Sequence, residues 1–334
     1  MGWLASFIEC PECRRVGSVV PSQTADGSSH VCTQCGARGH IEQGTTDVRM
    51  HGSGEVRSGS VARFVVAPRA ADQEGDWWTI IRDHGIGDLI FTTPLADHLR
   101  RSGCRVAYRC PEWGLPLIRH VCDSWQPLSS PEPTVGRVVD LRGVADDGRP
   151  LDDMNRVEAY ASVAGVRLKD AAFRVEPTEA NRLKAEAIRT VQGGGLIAAL
   201  CPVSAHGSRT LEHDEAIERE LRALGFGVLR VGRASVEPTG DTPGLVVRRS
   251  SVEDLIATLL AADVVVSADT GPLYVASGLG KPVVALFHDV DPFLRLKYQS
   301  RWYAVRHGTD DDGMRVAAGV MAILTDPMMD HVEG

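Results

Sequence analysis

The sequence is poor in aromatic residues, has no long apolar run and carries no excess of basic charge. Phe, Trp and Tyr together make up 5% of its 334 residues. That leaves little material for the base-stacking platforms of single-stranded nucleic-acid binders. No stretch approaches the ~18 consecutive apolar residues of a membrane span, so no transmembrane helix is expected. Lys and Arg total 36 against 44 Asp and Glu, a formal net charge of -8. This excludes a global basic field of the kind that drives non-specific nucleic-acid binding, but not a local patch. The first residues, MGWLASFIECPECRR, have no basic segment ahead of their short apolar run. No signal peptide is expected there, and a cytoplasmic location is the default.

What is present is an ordinary globular composition, 43% apolar and 24% charged. Such a composition rules out a disordered chain, a collagen-like chain and a disulfide miniprotein. The length suggests about two domains. Four of the eight cysteines form two C-x2-C pairs, Cys10/Cys13 and Cys32/Cys35, with 18 residues between them. Cys104, Cys110, Cys122 and Cys201 share no such spacing. Paired C-x2-C knuckles at this separation are a structural zinc signature. Each knuckle aims two thiolates at one point, and tetrahedral zinc takes all four at about 2.3 Å. Disulfides or inert thiols are the alternative; the duplicated spacing and the cytosolic default favour zinc. With every position filled by sulfur, the metal holds a fold and does not activate water. Residues 1–43 are therefore expected to be a zinc ribbon, too small to fold without its metal. Residues 44–60, GTTDVRMHGSGEVRSGS, read as a linker or exposed loop.

From residue 61 onward the pattern alternates between strand and helix. Strands are expected over 61–67, 78–82, 105–109 and 137–141. Helices are expected from Asp88 to about Ser102, over 115–121 and over 155–164. A second unit begins near Pro177 with a helix capped by Thr178. Strands follow over 196–201, 227–231, 245–248, 264–267 and 282–287. They alternate with helices over 212–224, 251–261, from Gly271 to Gly278 and over 313–324. This rhythm predicts two doubly wound lobes, 61–176 and 177–334, with a cleft between them. Ligands of such sheets bind beyond the carboxyl ends of the strands.

Three strand-to-helix junctions carry chemistry. The first is RDHGIGDLIFTTP, residues 82–94. Gly85 and Gly87 permit a tight turn, and Asp88 begins the helix. An ionised carboxylate at a cleft edge can accept a proton from a hydroxyl nucleophile. The same Asp can also serve only as a helix cap. His84 is the nearest other group able to take a proton. The spacing is not G-x-G-x-x-G, so a dinucleotide fingerprint is not supported. The second junction, VVVSADTGPLY at 264–274, presents Asp269, Thr270 and the amide of Gly271, groups that suit phosphate oxygens or sugar hydroxyls. The third, CPVSAHGSRTLE at 201–212, offers Ser204, Ser208 and Arg209 for a diphosphate. Arg suits that task because its planar fork binds two oxygens and keeps its charge. Taken singly, the last two also read as an ordinary cap and a polar loop.

Together the segments GIGDLIFTTP (85–94), SADTGPLYVAS (267–277) and LGKPVVALF (279–287), in this order, resemble the heptosyltransferase-like glycosyltransferases of family nine. The resemblance covers about residues 78–325 and leaves the ribbon outside it. It implies a GT-B fold, with the acceptor on the N-terminal lobe and a nucleotide-diphosphate sugar on the C-terminal lobe. It implies an inverting transfer with no catalytic metal and places the family's general base on Asp88. Donor contacts fall on Ser204, Ser208, Arg209, Asp269, Thr270 and Gly271, and the acceptor-side loop on His84, Gly85 and Gly87. The chain departs from the family pattern at Tyr274, where His is frequent, and at His288, where Gly is frequent. A glycan or lipid-linked saccharide is the expected acceptor. The alternative is a transferase acting on nucleic acid or protein docked through the ribbon. Residues 1–70 hold seven Arg and six acidic groups, so the ribbon is not strongly basic. A non-catalytic binding module on the same scaffold is a further reading, disfavoured by the retained Asp88.

Overall fold

The computed structural model describes residues 19–21, 30–32, 38–49, 56–66, 76–131, 134–145, 151, 153–203, 210–211, 213–233, 245–249, 251–288, 290–308, 311–326 and 330–332. Cys10, Cys13 and Cys35 lie outside these residues, as do Ser204, Ser208 and Arg209.

The first described residues form a four-stranded antiparallel sheet. Its strands are β1 (Val19–Pro21), β2 (His30–Cys32), β3 (Arg38–Arg49) and β4 (Val56–Val66), in that order across the sheet. β3 and β4 pair from Gly39↔Val66 to Arg49↔Val56. Two expectations change here. Residues 44–49 and 56–60, read as linker, are paired strands. The strand expected at 61–67 belongs to this antiparallel sheet, so the first doubly wound lobe begins at β5 and not at residue 61. The Gly/Ser-rich composition hid a hairpin because backbone pairing depends on a partner strand. β-branched Thr45, Thr46 and Val48 sit opposite Ser60, Gly59 and Arg57, and β-branched residues suit a pleated ladder.

The first lobe has a wholly parallel sheet in the order β7-β6-β5-β8, made of β5 (Trp77–Ile81), β6 (Arg105–Cys110), β7 (Ser124–Pro127) and β8 (Arg137–Asp140). Its helices are α1 (Ile86–Phe91), α2 (Thr93–Arg101), α3 (Leu115–Ile118) and α4 (Arg156–Val163). The expected helix over 115–121 is a single turn. Asn155 starts α4 by accepting from the amides of Val157 and Glu158, a cap worth about 1 kcal/mol.

The second lobe begins with α5 (Glu179–Val191), where Thr178 and Asn181 form a reciprocal capping box. It continues through β9 (Ile197–Cys201), α6 (Asp214–Ala223), β10 (Gly227–Arg233), β11 (Leu245–Arg249), α7 (Val252–Ala261), β12 (Val264–Ala268), α8 (Gly271–Gly278), β13 (Val283–Phe287), α9 (Phe293–Leu296), β14 (Trp302–Arg306), α10 (Asp312–Thr325) and β15 (Asp330–Val332). The sheet is parallel, in the order β11-β10-β9-β12-β13-β14-β15. Every residue of β9, β12 and β13 is buried. Both faces of these strands are covered by helices, which is why they read as unbroken apolar runs without alternation.

One apolar cluster runs through both lobes and includes Leu89, Phe91, Phe173, Leu273 and Tyr274. Polar contacts reinforce the junction. Asn155 donates to the Phe293 carbonyl at 3.0 Å, Lys297 pairs with Glu158 at 2.8 Å, and Arg119 pairs with Glu253, which also accepts from Asn181 at 2.8 Å. The most extensive helix contact across the junction is α1 against α8. These are the two helices that follow the glycine-bearing turns.

Candidate active site

The β5–α1 turn is built around Gly85. Its φ of 78° lies in the left-handed region, and a Cβ there would fall 2.2 Å from Oδ2 of Asp88. Glycine alone meets both demands. Gly85 is also the N-cap of α1, and no side chain caps the helix. Asp88, in the first turn, therefore does not act as a cap. Its carboxylate faces two other groups. Tyr160 of α4 donates its hydroxyl to Oδ1 at 3.0 Å, and Nη2 of Arg82 lies 3.4 Å from Oδ2. Arg82 immediately follows β5 and is fully buried, while the Asp88 side chain keeps 26% of its exposure. Arg82 also donates to the Leu141 carbonyl, and its guanidinium sits 5.4 Å from the centre of the Tyr160 ring. That distance suits a cation–π contact. Burial, and then the negative charge of Asp88, push the Tyr160 phenol well above its ordinary range. Tyr160 thus stays protonated and donates. The result is an oriented, solvent-reachable carboxylate on a rigid support.

Thr92 and Thr93, part of the T-T-P signature, are buried. Their hydroxyls return to the carbonyls of Leu89 and Ile90 at 2.6 and 2.7 Å. They join α1 to α2 and are not placed to meet a ligand. His84 is exposed and pairs with its neighbour Asp83 at 2.7 Å.

On the second lobe, Asp269 follows β12 and is 5% exposed. It too is no cap. Thr270 holds that position for α8, and Oδ1 of Asp269 accepts the hydroxyl of Tyr274. The Thr270 hydroxyl oxygen is buried and has no hydrogen-bond partner among the described residues. A buried hydroxyl without a partner costs free energy that a bound ligand can recover. A Cβ on Gly271 would lie 2.8 Å from Cβ of Ile86, and one on Gly87 would lie 2.5 Å from Cδ2 of Tyr274. These two glycines let α1 and α8 touch. The structure thus brings Gly85, Gly87 and Asp88 to the same junction as Asp269, Thr270 and Gly271.

Three groupings went unread in the sequence. Arg82 and Tyr160 orient Asp88, yet they lie 78 residues apart and only the fold joins them. A charged residue closing an otherwise apolar strand was the one available signal for Arg82. The third group is the set of rings at the ends of β13 and β14. The His288 ring lies 4.6 Å from that of His307, and Nδ1 of buried His307 pairs with Asp312. Among the described residues no cluster of His, Cys, Asp or Glu could hold a metal ion, and no helix is long and apolar enough to cross a membrane.

Residues 240–310 match the family model for glycosyltransferase family 9 (heptosyltransferase). No curated protein matches the chain. Among solved structures, a glycosyl transferase family 9 protein from Veillonella parvula superposes with a TM-score of 0.59 at 14% identity, covering 75% of this chain and 97% of its own. The ADP-heptose LPS heptosyltransferase II of E. coli gives 0.55 at 13%, covering 74% and 98%. TibC, a dodecameric iron-containing glycosyltransferase of enterotoxigenic E. coli, gives 0.59 at 12%, covering 89% and 93%. The TibC share exceeds what residues 76–334 can supply, so it extends into the N-terminal region. The resemblance to family 9 read from the three motifs is thus matched in sequence over residues 240–310 and in fold over both lobes, and it supports glycosyltransferase activity on a GT-B scaffold.

Proposed function

We propose that the protein is an inverting glycosyltransferase that moves a sugar from a nucleotide-diphosphate sugar to an acceptor hydroxyl, with Asp88 as general base. The observation that carries this reading is the packing of α1 on α8. It brings the helix that carries a solvent-reachable carboxylate, held by Tyr160 and Arg82, onto the helix that follows the Asp269-Thr270-Gly271 turn. The acceptor oxygen attacks the anomeric carbon as its bond to the diphosphate oxygen breaks. The acceptor proton passes to Asp88. Late transfer makes the modest basicity of a carboxylate sufficient when the transition state has oxocarbenium character. The leaving diphosphate is stabilised by Arg209 and the amides near Thr270. Ser204 and Ser208 complete the donor loop, and Asp269 accepts from the sugar or ribose hydroxyls. The acceptor is a glycan or a lipid-linked saccharide. No catalytic metal takes part.

The N-terminal region suits a structural zinc. β1 and β2 are antiparallel with Val19 opposite Cys32. The support for this reading is the duplicated C-x2-C spacing of Cys10/Cys13 and Cys32/Cys35. Bound there by four thiolates, the metal supplies folding free energy and no chemistry. Because TibC contains iron, the metal analysis covers both elements. One zinc per chain is expected, lost in Cys13→Ser/Cys32→Ser, with both lobes still folded.

Calorimetric titration with ADP, ADP-heptose, UDP-glucose and GDP-mannose tests the donor. Saturable binding of at least one, with sugar transfer abolished in Asp88→Asn, is the expected outcome. Binding of none removes the donor reading.

A further inference from the structure

Tyr274 touches both halves of the site. It lies on α8 and is 5% exposed. Its hydroxyl donates to Oδ1 of Asp269. Its ring faces the other lobe, where Cδ2 lies 2.5 Å from the position a Cβ on Gly87 would take. Gly87 immediately precedes Asp88. The ring also meets Phe91 of α1 edge to face, at 4.6 Å between centroids, and lies 6.3 Å from Phe173 in the segment joining the lobes. Edge-to-face aromatic contacts at these distances fix relative orientation as well as bury area.

We propose that Tyr274 is a positioning residue that ties the donor carboxylate Asp269 to the turn carrying Asp88. The inference rests on the donor and base roles proposed above for those two carboxylates. Packed interiors transmit small shifts because they have little free volume. A displacement of Asp269 is therefore felt through the phenol ring at Gly87, one residue from the base. The arrangement needs three matched choices. Tyr274 supplies a hydroxyl donor and a flat ring, Gly87 leaves room for that ring, and Phe91 closes its far edge. Replacing the hydroxyl cuts the link to the donor side alone. Altering Phe91 changes the link from the base side without touching Asp269 or Asp88.

Two variants and two readouts test this. Tyr274→Phe removes the hydroxyl and keeps the ring. Phe91→Leu loosens the ring from the other lobe. The probe is whichever of ADP-heptose, UDP-glucose or GDP-mannose binds the wild-type protein most tightly. Tyr274→Phe is expected to weaken donor binding by about tenfold, as for a lost hydrogen bond to a charged group. Its turnover at saturating donor also falls. Phe91→Leu is expected to weaken donor binding several-fold, although Phe91 lies on the opposite lobe. Amide hydrogen exchange over residues 86–92 should speed up in Tyr274→Phe in the absence of any ligand. A residue that only fills space would lower the melting temperature and leave donor affinity and turnover unchanged. If both variants unfold cooperatively, bind donor as wild type does and show unaltered exchange over 86–92, the proposal is overturned. If Tyr274→Phe does not fold, Phe91→Leu decides by donor affinity. Failure of the wild-type protein to bind any of the three sugars would defeat the donor reading instead, and the exchange measurement would still decide the coupling.

Discussion

The two junction turns share a plan and differ in how they treat their carboxylate. Each follows a parallel strand, uses glycine and opens a helix. In the first lobe Asp88 sits inside the helix and stays partly exposed, gripped by a tyrosine and a buried arginine. In the second, Asp269 precedes the helix, is almost fully buried and is gripped by one tyrosine. The difference teaches what each can do. A carboxylate that must take a proton needs access to the acceptor and an orientation that survives the change of charge. A carboxylate that must hold a ligand gains from exclusion of water, because hydrogen bonds strengthen in a low-dielectric setting. Neither is spent on capping its helix.

The sharpest way to break the comparison is Asp88→Asn. Asn still accepts from Tyr160 but cannot take a proton. Turnover should drop by about a hundredfold or more, while donor affinity and cooperative unfolding persist. Retained turnover would move the base elsewhere, with His84 first to be examined. Next in size are Asp269→Ala and Arg209→Ala. Each should weaken donor binding tenfold to a hundredfold, the effect of about 1.5–3 kcal/mol for a charged hydrogen bond, as read by titration calorimetry. Unchanged affinity in both would show that the second turn does not bind donor.

Tyr160→Phe refines the comparison from the first lobe. It removes one of the two groups orienting Asp88 and leaves Arg82. Steady-state kinetics should show a several-fold loss in kcat with the donor KM unchanged. A rise in donor KM of equal size would mean that Tyr160 serves binding. The smallest effect concerns pH. His120 follows α3, and both of its ring nitrogens are buried without a hydrogen-bond partner among the described residues. Burial lowers its pKa from the ordinary 6.5. The unfolded chain then takes up the proton first as pH falls, so this contribution is present above about pH 6.5 and is lost on acidification. Melting curves at pH 7 and pH 5 should converge in His120→Gln relative to wild type. Equal pH sensitivity in the two proteins would rule this out.

Most of the doubly wound lobes was legible because their central strands are continuous apolar runs bounded by glycine or by caps. The helices starting after Asn155, Thr178 and Ser251 begin where their capping side chains stand. What escaped notice was short or marginal. β7, β14 and β15 lie at or near sheet edges, with Ser124, Arg306 and Asp330 at their ends, and carry little period of their own. The β3–β4 hairpin was hidden for a different reason. Its Gly, Ser and Thr residues look like linker until a partner strand takes up their backbone groups. In the site, Asp88, Asp269 and the glycines were recognisable as motifs, whereas a further use of Gly87 and Gly271 was not. They read as turn and ligand positions, and the fold also uses them as points of contact between helices.

By itself the sequence determined the parallel-sheet class, the two glycine-bearing turns with their carboxylates, and the paired cysteine spacing. Each follows from local chemistry: hydrophobic period, backbone freedom at glycine and the reach of a thiolate. The tertiary structure alone decided which distant groups meet. It set Arg82 and Tyr160 on either side of Asp88, turned both carboxylates away from capping, and wedged Tyr274 between Asp269 and Gly87. The contact of Tyr160 with Asp88 spans 72 positions, and that of Tyr274 with Gly87 joins two lobes. They form because burying the shared apolar cluster drives α1 onto α8, and no local pattern encodes that meeting.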